Sequence, residues 1–230
     1  MSQASSNTPD LTDELAHARL VDRLSTRARR AQVAAALRSG RVRLLETVDL
    51  LAPESLPDVA RRSLVLLLVS GAGFVGLELA ARVAGSAGPL LGAGSPLLRA
   101  GALVLANAAA YIVMVPLHEA VHAGVILWLG GQPRFGLKLP FAAYCTAPGQ
   151  LFTRAGYTAI ALAPLVILSA LGIALIWQAP DVGACVLFGL AGNVAGAVGD
   201  LDAVARIRRL PSRTLIADTA TGYQAVLPLT

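Results

Sequence analysis

Apolar residues in this chain are gathered into long runs rather than spaced as the stripes of a soluble protein. Four runs reach the roughly 20 residues that a helix needs to cross a bilayer. They are Ser63–Val83, interrupted only by Glu78 and Arg82, then Ala100–Leu129, Gly156–Trp177 and Val182–Leu201. The second is long for one crossing, an excess that tilt, protrusion or a bend near Pro116 absorbs. The pattern predicts an all-α membrane protein with four transmembrane helices.

The polar stretches between these runs are informative in turn. GSAGPLLGAGSP, between the first two spans, is Gly-rich and Pro-broken and reads as a short outward loop. RFGLKLPFAAYCT, between the second and third, holds two strand-like runs around Pro140 and predicts a small hairpin over Phe135–Thr146 at the cytoplasmic face. The basic segment RLVDRLSTRARRAQVAAALRSG mixes apolar and charged positions as a helix does, with Gly40 as a stop. That arm is either a helix on anionic lipid or a solvated cytoplasmic helix. The polar start, MSQASSNTPD, lacks the pattern of a cleaved signal, so the first span serves as an uncleaved anchor. The chain divides into a cytoplasmic basic helical arm (1–62), a four-span membrane domain (63–201) and a cytoplasmic tail (202–230).

Composition agrees: 55% of the 230 residues are apolar and 14% charged, against about a quarter charged in soluble domains. Charge also sets the orientation. Ten arginines precede the first span, Arg134, Lys138 and Arg154 join the second to the third, and Arg206, Arg208, Arg209 and Arg213 follow the fourth. The other two connections have only the flanking Arg82 and Arg99. By the positive-inside rule both termini and the hairpin are cytoplasmic, in a multi-pass protein of the cell membrane. No aromatic residues interleave with the arginines, which argues against nucleic acid as a partner. Cys145 and Cys185 are far apart and read as unpaired thiols.

The second span carries HEAVH, His118 to His122. Two imidazoles four residues apart share one helix face and can bind one cation. Neutral imidazole suits Zn2+, leaving room for a third protein ligand and a water. Glu119, beside the first ligand, can take a proton from that water and act as catalytic base. With three histidines and five glutamates, a chance HExxH arises on the order of once in a thousand such chains. Three such groups in one span are costly unless functional. His17 lies in the arm as a surface residue, so the third ligand is sought at Asp200, in AGNVAGAVGDLD at the inner end of span four. Asn193 is two turns earlier on the same face. Gly192, Gly196 and Gly199 flank that stripe and would let span four approach span two. Asp202 is the rival carboxylate, better read as interfacial. Glu78 lies away from the site.

HEAVHA, the basic hairpin-like connection, the element Leu162 to Pro164 and the Asn193-to-Asp200 spacing resemble site-2-type intramembrane metalloproteases. More closely, with the tail LIADTATGYQAV, the chain resembles a bacterial family of zincin membrane peptidases classed as a domain of unknown function. That resemblance covers roughly Ser63 to Val226. It implies His118, His122 and Asp200 as zinc ligands, Glu119 as base, and Asn193 as the group that orients or polarises the substrate carbonyl. Span four reads GDLD rather than the LDG form of site-2 proteases. The implied activity is intramembrane proteolysis near the cytoplasmic face, with membrane proteins or signal remnants as substrates. The alternative is a zinc-binding membrane scaffold or pseudo-protease. An ion transporter is disfavoured because only Glu78 is spare among the intramembrane charges. A hydrolase of lipid or prenyl-processing intermediates stays open.

Overall fold

The computed structural model describes residues 17–50, 52–85, 95–138 and 142–229. The polar start of the chain, most of the Gly-rich connection after span one and the tip of the hairpin lie outside them. In chain order the elements are β1 (Arg19–Leu20), α1 (Arg27–Arg38), β2 (Val42–Asp49), α2 (Leu56–Gly85), α3 (Pro96–Leu129), β3 (Arg134–Lys138), β4 (Ala142–Thr146), β5 (Gln150–Thr153), α4 (Arg154–Gln178), α5 (Pro180–Ala184), α6 (Leu187–Gly196), α7 (Val198–Ile207), β6 (Leu215–Thr219) and β7 (Gly222–Pro228).

Helices α2, α3, α4 and the α6–α7 pair are long and apolar enough to cross a membrane. Local chemistry sets their ends. Ser95 caps α3 through the Leu98 amide, with Pro96 pre-set for the first turn, and Gly130 ends it with φ of 94°. The helix continues past Pro116. Thr153 caps α4 by accepting from the Gly156 amide at 3.0 Å. The expected fourth span is broken: α5 is a separate short helix, and Ala197 separates α6 from α7. The first two spans each pack on α6, which is the hub of the bundle. Gly189 makes the close approach possible, since a Cβ there would meet the Ala110 carbonyl oxygen at 3.0 Å. Among the glycines singled out from the sequence, Gly192 does face Tyr111 on α3, whereas Gly199 faces Leu50 and Gly196 has open space.

The all-α expectation is corrected by two sheets. The hairpin forms as expected, β3 pairing antiparallel with β4 from Arg134↔Thr146 to Lys138↔Ala142. The second sheet was not anticipated: five strands in the order β1-β5-β6-β7-β2. Among its described residues the basic arm is helical in α1 and again from Leu56, where α2 begins. Beyond Gly40 it becomes β2, paired antiparallel with β7 from Val42↔Pro228 to Asp49↔Gly222. Gly222 must lack a side chain, because a Cβ would lie 2.0 Å from the Val48 carbonyl oxygen.

One face of this sheet (Phe152, Ile216, Tyr223, Ala225) is buried against Ile126 and Leu129 of α3, Ile160 of α4 and Ala203 and Ile207 of α7. The other face (Leu151, Leu215, Val226) is covered by Val33 and Leu37 of α1. The sheet is therefore sandwiched between α1 and the ends of three long helices. A third apolar cluster, around Phe74, Ile176, Leu190 and Ala191, joins the helices farther along. Glu78, on α2 one turn beyond Phe74, is paired with Arg82, which also meets Asp181 at 2.9 Å.

Candidate metal centre

The helical spacing of HEAVH puts His118 and His122 on one face of α3, both buried, with ring centroids 4.9 Å apart. Asp200 reaches them from the first turn of α7, where the helix N-terminus favours a carboxylate. Its Oδ2 lies 3.4 Å from His118 Nε2 and 3.6 Å from His122 Nε2. Ligand atoms of all three residues fall within 4.8 Å of one another. Tetrahedral zinc with bonds of about 2.0–2.1 Å separates its donors by about 3.3 Å, so this set can hold the metal.

The rear edge of each ring is also engaged. His118 Nδ1 is 2.9 Å from Asn193 Oδ1, and His122 Nδ1 is 2.9 Å from the Ile160 carbonyl oxygen. Since both partners are acceptors, the rings carry their protons on Nδ1 and turn Nε2 lone pairs towards Asp200, the arrangement metal-binding histidines adopt. Asn193 in turn donates from Nδ2 to the Pro164 carbonyl at 3.3 Å. The sequence resemblance gave Asn193 the substrate carbonyl. In the structure its amide bonds His118 and Pro164, and the residue also lines the cavity that reaches His118 and Glu119 between α2, α3 and α6.

Glu119 stands beside this cluster, in a cavity that Tyr144 and Cys145 of β4 also line. Among the described residues β4 pairs with β3 alone, and Ala143 and Cys145 of β4 line the cavities beside Glu119. A cavity of about 170 Å³ encloses His118, Glu119, His122 and Asp200, walled by Tyr144 and Cys145 of β4, Tyr157 of α4 and Asp218 of β6. A neighbouring cavity of about 410 Å³ reaches His118 and Glu119 between α2, α3 and α6, past Leu64, Leu67, Tyr111 and Phe188. Burial, with Glu119 and Asp218 nearby, pushes the Cys145 thiol up to about 12.

The other sequence candidates are placed elsewhere. Asp202 is held by Arg62 at 3.2 Å and Arg206 at 2.7 Å. His17 is exposed in the arm. Both cysteines are free. Sequence reasoning did not single out Tyr157 and Asp218, which hydrogen-bond at 2.9 Å inside the cavity. The available signal was strand alternation in LIADT, which sets Asp218 on the face that Ile216 buries.

A family model described as "Putative zincin peptidase" matches residues 111–215. The matched stretch takes in both histidines, Glu119, Asn193 and Asp200, and stops before Asp218. No curated protein and no solved structure matches the chain.

Proposed function

We propose, taking the match to a zincin peptidase family as premise, that this chain is a zinc-dependent membrane endopeptidase cutting membrane-embedded segments near the cytoplasmic face. The observation that carries the reading is the convergence of three ligand atoms beside Glu119, with both imidazoles pinned from behind. Zinc, when bound by His118, His122 and Asp200, supplies Lewis acidity and lowers the pKa of water.

The protein's own groups do the rest. The Glu119 carboxylate takes the proton of the attacking water and delivers it to the departing amine nitrogen. Asn193 and the Ile160 carbonyl hold the two rings in register. A helical substrate shields its carbonyls in internal hydrogen bonds and must be extended to be cut. The edge of β4 away from β3, beside the cavities that Ala143 and Cys145 line, offers backbone groups on which an extended segment can pair. The cavity between α2, α3 and α6 supports approach from the lipid side, since it is lined mainly by apolar side chains. The arginine asymmetry supports a cytoplasmic location for the site. The pairing of β2 with β7 puts the segments before the first span and after the fourth on one side of the bundle, as an even number of spans requires.

Glu119→Gln tests the reading. The variant should retain one zinc per chain and lose at least about a thousandfold in cleavage of a membrane-embedded peptide. Zinc retention in a wild-type protein that cleaves no such peptide would instead indicate a zinc-binding scaffold.

A further inference from the structure

Two polar side chains of the metal cavity take no part in the chemistry above. Tyr157, in the first turn of α4, donates its hydroxyl to Asp218 Oδ1 at 2.9 Å. Both line the cavity with Glu119, His122 and Asp200. The pair is tied into its surroundings on several sides. The Tyr223 ring packs 5.9 Å from Tyr157, and its hydroxyl donates to Glu46 of β2 at 2.6 Å. One turn beyond Tyr157, Ile160 holds His122. A phenol and a carboxylate are a costly choice for packing alone, because a Phe beside an apolar residue would fill the space without desolvating a charge.

We propose that Tyr157 contacts the substrate and that Asp218 is a positioning residue acting through it. With its proton committed to Asp218, the Tyr157 oxygen retains lone pairs and acts as an acceptor. An extended peptide in the cavity presents a backbone N–H to such an acceptor. The bound segment is then held along one edge by β4 and at the cavity wall by Tyr157. This rests on the peptidase reading. It also places a substrate-binding determinant in a strand beyond the residues matched by the zincin family.

The test uses the full-length, zinc-loaded protein in detergent. The probe is an apolar tripeptide hydroxamate, its affinity measured by calorimetry and the zinc content alongside. Tyr157→Phe should weaken binding about tenfold, or ~1.4 kcal/mol, with one zinc retained. Methylating one probe amide should cost the wild type the same factor and Tyr157→Phe nothing. Asp218→Ala should match Tyr157→Phe, and Asp218→Asn, which keeps an acceptor, should restore most of the affinity. The Tyr157→Phe/Asp218→Ala pair should be no worse than either alone. Unchanged affinity in Tyr157→Phe, additive losses, or loss of zinc in Tyr157→Phe would each overturn the proposal. A zinc-loaded wild type that does not bind the hydroxamate would sink the peptidase reading itself, an outcome distinct from failure of the pair.

Discussion

Asn193→Ala separates two roles for the buried amide. The substitution removes an acceptor 2.9 Å from His118 Nδ1 and a donor 3.3 Å from the Pro164 carbonyl. Asn193 is only 2% exposed, so bulk water is poorly placed to replace it. An unsatisfied buried donor costs about 1–3 kcal/mol. His118 can relieve that cost by shifting its proton to Nε2, the atom that must stay free for the metal. Loss of such an outer hydrogen bond lowers metal affinity about 10- to 100-fold, or roughly 1.4–2.8 kcal/mol. Zinc affinity would be measured by competition with a chelator at constant pH, on the protein in detergent. Asn193→Asp is the companion variant: it restores an acceptor for His118, sacrifices the Pro164 contact, and should recover most of the affinity. A residue that polarised the substrate carbonyl would behave differently, leaving zinc affinity intact and depressing turnover. An Asn193→Ala protein binding zinc within about twofold of wild type refutes the orienting role.

Three further outcomes follow from the same geometry. With its thiol pushed up to about 12, Cys145 is protonated in the fold at pH 7.5. In a Cys185→Ser background it should resist maleimide until the protein unfolds. The unfolded thiol ionises near pH 8.5, so the folded state binds more protons above that pH and stability should fall as pH rises. Asp218, raised to about 6 by burial, binds more protons folded than unfolded between about pH 4 and 6, so its contribution to stability is lost as pH rises through that window. Asp218→Asn should therefore gain melting temperature relative to wild type at pH 7.5, and the gain should vanish at pH 4; a gain equal at both pH values would refute the assignment. Gly222→Ala drives a Cβ into the Val48 backbone oxygen and should cost about 1–3 kcal/mol, read by thermal unfolding together with faster proteolysis within β2. An unchanged melting temperature would show that the β2–β7 pairing yields easily.

Much of the site was legible because its signals are local. HEAVH declares its own geometry, since a four-residue spacing on a helix settles which face both imidazoles share. The apolar runs likewise declare four long helices. Asp200 was found as the remaining carboxylate at matching depth, and the structure brings it to both rings. The part played by Asn193 was harder to read. Its relation to Asp200 depends on the break at Ala197, which lets the two residues meet opposite edges of one imidazole. The five-stranded sheet was illegible for a different reason. Val42–Asp49 is short, charged and irregular between Leu44 and Glu46, and its partner lies at the far end of the chain. A strand whose stability comes from so distant a pairing leaves little local trace. Tyr157 was hidden by its setting, an aromatic ring within an apolar helix.

The pairing of β2 with β7 also imposes an order of events in time. Val48 waits for Tyr223, whose synthesis follows by 175 residues (223 − 48), on the order of ten seconds or more at ordinary translation rates. Until then β2 leaves the ribosome as an unpaired edge, and the cavity wall formed by Asp218, Thr219 and Gly222 does not exist. All four long helices are made before that wall. A nascent chain thus holds His118, His122 and Asp200 before that wall of their cavity is in place. Completion of the cavity wall is therefore coupled to β7 being made and finding β2 across the whole span of the four long helices.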